Sequence, residues 1–305
     1  MIIEAQDGPS SGLQAARSQD AVGPALPDDQ RRPLGGDRAA GAGGPRFVRF
    51  DVITLFPELF EPFFKSGITR RAFESGQVQV RLWNPRVFAD GNYRRVDDRP
   101  FGGGPGMVMM AEPLWRALQA VRADRADTAS ALVPVVLFSP IGQRLDHACV
   151  TAWSTSAGAV LLCGRYEGID QRFIDACVDQ QISLGDFVLS GGEIAAIAML
   201  DAVARLIPGV LNDEGSHQQD SFNPAIDGLL DSPHHTRPEV WQGPEGPVAV
   251  PEVLLGGHHE RIARYRRDQS LAVTAQHRPD LLGQAREQCL LTAQDERFLA
   301  QPKKL

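Results

Sequence analysis

Residues 161–208, LLCGRYEGIDQRFIDACVDQQISLGDFVLSGGEIAAIAMLDAVARLIP, decide the fold. Two short apolar segments, 159–163 and 181–184, each run into a glycine-containing turn, and each turn opens a segment with apolar residues at helical spacing. A strand, loop, helix unit is therefore written twice. The first loop holds Gly164, Arg165, Tyr166, Glu167 and Gly168, and the second runs from Gly185 to Glu193. Glycine lets the backbone approach a ligand, and the flanking side chains supply a few directed polar groups. Either loop alone also reads as an ordinary tight turn. Together, and followed by the polar run 212–222, they point to a binding site.

Working outward, residues 135–139 predict a buried strand of the parallel-sheet type. Ser139-Pro140-Ile141-Gly142-Gln143 then predicts a third strand-to-helix turn, with a helix over 145–154. Strands alternating with helices imply a parallel α/β sheet with ligands at the carboxyl ends of its strands, so the three loops would face one crevice. Further upstream, 47–55 reads as a first strand ending at Phe56-Pro57. Helices are expected over 57–64 and 68–74, a strand over 78–83 and a helix over 112–122. Between them, 84–110 is a long irregular segment with Arg94, Arg95 and Arg99 before the run FGGGPG, and its apolar tail 107–110 argues that it packs. The run is neither a Walker loop nor a dinucleotide fingerprint, having no GK[ST] ending and no GxGxxG after a strand.

Length and composition bound the rest. At 305 residues, with 43% hydrophobic residues, the chain suggests two domains. The net charge is -7 and the pI about 5.5, so any basic footprint is local. No apolar run is long enough for a membrane span and the N-terminus lacks the regions of a signal peptide, so a soluble, cytoplasmic protein is expected. Cys149, Cys163, Cys177 and Cys289 form no CxxC pair, which speaks for reduced, mostly buried thiols and against a zinc site. Residues 1–45 are rich in Gly, Pro, Ala, Asp and Arg with no apolar period, and a disordered extension is expected there. A catalytic domain over 46–211, a flexible linker over 212–239 and a helical domain over 240–305 follow. In the last, a helix opened by His258 carries His259, Arg261, Arg264, Arg266 and Arg267 around Ile262 and Tyr265, which fits a solvated face and a phosphate-contacting face equally.

The strings VDDRPFGGGPGMVM, LFSPIGQRLD, LLCGRYEGID, SLGDFVLSGGE, RLIPGVL, DSF, GLLDSPHHTRPE and PEVLLGGHHERI occur in this order. As a set they resemble the bacterial tRNA (guanine-N1)-methyltransferases of the SPOUT superfamily, over nearly everything from Arg46 onward. One departure is Asn92-Tyr93-Arg94-Arg95, where the family carries a His-Arg-Thr type of run. The resemblance implies an α/β, parallel-sheet SPOUT domain with a deep C-terminal trefoil knot, joined to a small helical domain. Nothing in composition or periodicity would suggest the knot, since threaded connections are essentially absent from folds. It further implies that two subunits complete each active site as a homodimer, and that the knot loops bind S-adenosylmethionine. Carried over, that cofactor site comprises Gly164, Leu184, Gly185, Asp186, Phe187, Val188 and Leu189, backed by Ser139, Pro140, Tyr166, Glu167, Gly191 and Gly192. The implied partner is the anticodon stem-loop of tRNA, methylated at the guanosine 3′ to the anticodon (position 37) in support of reading-frame maintenance; DNA and membranes are not expected partners. Magnesium, with Glu167 as the nearby carboxylate, is kept open as a second cofactor.

The chemistry agrees with this assignment. N1 of neutral guanine bears hydrogen and has no lone pair to donate, so its methylation needs a general base, and charge develops on O6 as the proton leaves. The resemblance assigns the base to Asp220, just before Ser221-Phe222, and the cationic donor to Arg205. By composition alone, Arg205 also fits a residue capping the end of its helix, and Asp220 a solvated loop carboxylate. Two other readings differ in chemistry. A ribose 2′-O-methyltransferase of the same superfamily would need no N1 base, and an RNA-binding protein that had lost catalysis would have no use for Arg205 and Asp220.

Overall fold

The computed structural model describes residues 47–126, 132–211 and 216–301, so the extension expected over 1–45 lies outside the described residues. In chain order the elements begin with β1 (Val48–Ile53), α1 (Glu61–Phe64), α2 (Arg70–Glu74), β2 (Val78–Trp83), the two-residue strands β3 (Asp97–Asp98) and β4 (Val108–Met109), and α3 (Ala111–Arg125). There follow β5 (Val135–Arg144), α4 (His147–Ser154), β6 (Gly158–Leu162), α5 (Gln171–Cys177), β7 (Gln180–Ser183) and α6 (Glu193–Arg205). Beyond these come β8 (Val240–Gly243), β9 (Gly246–Ala249), α7 (His259–His277), α8 (Pro279–Glu287) and α9 (Ala293–Leu299).

A five-stranded sheet in the order β2-β1-β6-β5-β7, parallel throughout, organises residues 48–205. Successive strand side chains point to opposite faces, and each face has its own core. Val48, Phe50, Val52, Ala159 and Leu161 pack with Phe64, Phe73, Trp153, Met199 and Val203 of the helices on one side. Ile53, Val160, Leu162, Val135 and Leu137 pack with Leu114, Leu118, Val121 and Phe173 on the other. Burial on both faces explains why these strands read as near-continuous apolar runs.

The charged pair Arg49 and Asp51 in the fully buried β1 is internally compensated. The Asp51 carboxylate accepts from Arg49 Nη2 at 2.8 Å, Arg125 Nε at 2.5 Å and Trp83 Nε1 at 2.9 Å. Every charge removed from water here has a directed partner, which is the condition for burying it at all.

The turn expected at 139–143 differs from the structure. Phe138 and Gln143 both stand opposite Ile182 of β7, so 139–142 is an excursion out of one strand rather than a strand-to-helix turn. Its far side is pinned because Leu145 N donates to Ser183 O at 2.8 Å, and the helix begins only at His147, where Asp146 caps Cys149 N at 2.8 Å. The long segment 84–110 is ordered by the β3–β4 ladder and by a parallel bridge between Met109 and Ile169. Met109 is buried, as the apolar tail of that segment suggested.

The C-terminal residues open not with a helix but with the antiparallel hairpin β8–β9. The helices that follow close around Leu271, Leu282 and Ala285 together with Leu229 from the connection. That connection is tied to α7: Leu230 N donates to Thr274 Oγ1 at 3.0 Å, and Ser270 Oγ donates to Leu230 O at 2.5 Å. The arginine face of α7 is divided. Arg264 and Arg267 turn inward to Asp268, Asp295 and Asp227, whereas Arg261 and Arg266 are exposed. Only the latter two suit a phosphate-contacting face. Among the described residues no helix is long and apolar enough to cross a membrane.

Candidate active site

The excursion in β5, the loop after β6 and the loop after β7 meet at the carboxyl end of the sheet around a cavity of about 400 Å³. Of the predicted cofactor residues, Ser139, Pro140, Gly164, Tyr166, Glu167, Leu184, Gly185, Phe187, Val188, Leu189, Gly191 and Gly192 line it. Asp186 does not. Its side chain is 96% exposed and lies 3.7 Å from Arg144, outside the lining of the cavity. That turn is set by Ser183, whose hydroxyl accepts from Gly185 N at 3.2 Å and donates to Gly185 O at 3.1 Å, while Gly185 takes φ +157°. A side chain there would be strained by the backbone and would meet the Phe187 ring at 2.9 Å.

The first loop is fixed from another direction. Glu167 N donates to Met107 O and Met109 N to Gly168 O, both at 2.9 Å, so the glycine-rich segment is laced to the cavity rim. Apolar side chains at that rim, Ile141, Phe187 and Val188, stand in solvent. Exposed apolar groups gathered at one place mark a surface that is covered in use.

Arg205 at the end of α6 and Asp220, 15 residues on, are brought together at 2.5 Å with side chains 40% and 39% exposed. Asp220 is held by a turn in which its N donates to His217 O at 3.3 Å and its O accepts from Asn223 N at 3.2 Å. Neither residue lines the cavity of its own chain.

Among the described residues no three His, Cys, Asp or Glu side chains, Glu167 included, come together in a group that could hold a metal. The described residues therefore do not form a magnesium site made of protein side chains alone. Sequence reasoning named Arg165 and Glu193 only as members of the two loops and did not name Thr54; Arg165 lines the cavity, and the three side chains come together beside it. Glu193 is 0% exposed, its Oε1 accepts from Thr54 Oγ1 at 2.8 Å, and its Oε2 lies 2.9 Å from Arg165 Nε. The available signal was a glutamate directly after a glycine pair at a helix start. The Cys163 thiol beside them is pushed well up by burial and then by the Glu193 charge, and is unreactive.

An open parallel sheet with a glycine-walled cavity beyond its carboxyl edge defines an α/β protein that takes a small ligand between its strand-end loops. The family model described as tRNA (Guanine-1)-methyltransferase TrmD matches residues 48–284, and the chain belongs to that family. Among curated relatives, a tRNA (guanine-N(1)-)-methyltransferase of Paracidovorax citrulli is 69% identical over 83% of this chain and 98% of its own length. Proteins of the same name from Polaromonas sp. and Bordetella parapertussis are 68% and 56% identical, each over 83% of this chain, covering 96% and 97% of their own lengths.

Proposed function

We propose that the chain transfers a methyl group from S-adenosylmethionine to N1 of guanosine 37 in tRNA, with the cavity holding the methyl donor. The observation that carries this is the convergence of three strand-end loops on one cavity, in a chain that also pairs Arg205 with Asp220. Its volume of about 400 Å³ suits a nucleoside-sized ligand. Leu137, Ile169 and Leu189 offer apolar walls for a purine, and the loop backbone offers donors and acceptors. When bound, S-adenosylmethionine supplies an electrophilic methyl group on a sulfonium.

Asp220 takes the N1 proton, the N1 lone pair forms the new bond to the methyl carbon, and the carbon–sulfur bond breaks to leave a neutral thioether. Arg205 donates to O6, where negative charge builds. In the free chain Arg205 is paired with Asp220 and blocks the carboxylate. Guanine O6 draws the guanidinium over and leaves Asp220 free to accept the proton, so that the substrate itself assembles the base.

Because the pair does not line its own chain's cavity, we infer a homodimer in which one subunit's cavity meets the other's Arg205 and Asp220 across the exposed rim of Ile141, Phe187 and Val188. The C-terminal helices, with Arg261 and Arg266 outward, are read as a tRNA-binding domain on a connection over 212–239, and the cavity loops as the crossing of a trefoil knot. A cytoplasmic location fits a tRNA substrate. Magnesium is given no step.

Calorimetry with S-adenosylmethionine, followed by digestion of a methylated tRNA transcript and mass spectrometry, tests the reading. It expects binding and 1-methylguanosine. A methyl group on ribose would identify a 2′-O-methyltransferase instead, and absence of binding would remove the enzyme altogether.

A further inference from the structure

We propose that Thr54, Glu193 and Arg165 form a strap that sets the spacing of the two cavity loops, making Arg165 and Glu193 positioning residues for the methyl donor; this rests on the reading of the cavity given above. Arg165 leaves the first loop and ends on the second, where its Nη1 donates to Ser190 O at 3.1 Å. Its guanidinium carbon stands 4.5 Å from the centroid of the Phe56 ring, a cation–π contact from the end of β1. Thr54 Oγ1 accepts from Phe56 N at 3.0 Å and donates to Glu193, closing the circuit on the sheet.

The side chain of Arg165 passes directly over Gly191, where an added Cβ would overlap its Nε and Cδ as well as Glu193 Oε2. Gly191 is thus clearance for the strap. The two loops also meet through their backbones, since Gly192 N donates to Gly164 O at 3.0 Å. The strap is held by charge more than by aligned bonds: Arg165 Nε and Glu193 Oε2 are buried and 2.9 Å apart, yet neither has a hydrogen-bond partner. A buried carboxylate left in that state is no optimum for stability. Its place between two ligand-carrying loops gives it a different use, which is to fix the gap into which the donor fits.

The test pairs Glu193→Gln, which keeps the volume and removes the charge, with Arg165→Lys, which keeps the charge and loses the fork that reaches Ser190. Each should raise the Kd for S-adenosylmethionine roughly 10- to 100-fold, the range seen when the supports of a binding group are removed. One site per chain should remain and tRNA affinity should hold. The double variant should bind no more weakly than the weaker single one, because the two residues act as a unit. Amide exchange at Gly192 should quicken in each variant while that at Val160 in the sheet stays unchanged. A lower bound fraction at wild-type Kd, exchange raised across the whole sheet, or additive losses would each show a merely structural role and overturn the proposal. Failure of the wild-type chain to bind S-adenosylmethionine would instead overturn the reading of the cavity. Gly192 exchange then judges the strap alone: faster exchange in the variants supports it, and no change overturns it.

Discussion

Asp51 and Glu193 are both wholly buried carboxylates in the same α/β sheet region, and both face arginines. They are built differently. Asp51 receives aligned donors from Arg49, Arg125 and Trp83, and it does not line the cavity. Glu193 receives one aligned donor, from Thr54, and an arginine that approaches without a hydrogen bond. A saturated network fixes a core and an unsaturated one adjusts a site, because each unmade bond gives up stability that only function can justify. Position in the fold agrees: the first joins strands β1 and β2 to helix α3, and the second joins two loops.

The comparison is broken most directly at Asp51. Asp51→Asn removes the carboxylate shared by Arg49 and Arg125 and leaves Asp124, 2.5 Å from Arg49, as the remaining acid beside them; it should cost about 3–5 kcal/mol in urea unfolding. Glu193→Gln should cost less, about 1–3 kcal/mol, since Arg165 can turn outward. A reversed order would end the distinction.

Asp295 extends the comparison to the C-terminal helices. Although burial opposes it, bonds from Thr292, Arg267 and Arg264 hold its carboxyl down to about 2. A folded-state value below the unfolded one means that this stability is present above about pH 4 and is lost as pH falls toward 2. Asp295→Asn should therefore remove about 2 kcal/mol at neutral pH and flatten the acid limb between pH 4 and 2, as read from unfolding midpoints. A variant with an unchanged acid limb would show that the network is idle.

The smallest expected effect sharpens the site side. Gly185→Val should weaken S-adenosylmethionine binding by at least ~10-fold, about 1.4 kcal/mol, with the thermal transition still present. Unchanged affinity would remove the second loop from the site.

Much of the α/β region was legible because its strands are apolar on both faces and its helices keep their period. Residues 78–83 match β2 end to end, and the three loops read from their glycines do surround one cavity. What escaped depends on distance in the chain. Arg165 and Glu193 acquire meaning only when Thr54, more than a hundred residues away, is brought beside them. The excursion at 139–142 was hidden because re-pairing of Gln143 with β7 leaves no local mark. The arginines of α7 looked alike in sequence, and the acids of α7 itself, α9 and the connection separate the inward pair from the outward one. The Arg205–Asp220 pair was named from the resemblance, and its closeness is a product of the fold.

Methyl transfer to N1 depends most on Asp220 as the base. Single-turnover methylation of a tRNA carrying guanosine 37, at saturating S-adenosylmethionine, should fall by at least ~10² in Asp220→Asn. Affinity for the methyl donor should hold, because the strand-end loops that line the cavity are untouched by the change. The residual rate should climb with hydroxide concentration, since N1 must then lose its proton to solvent. Turnover of Asp220→Asn at the wild-type rate at neutral pH would contradict the account.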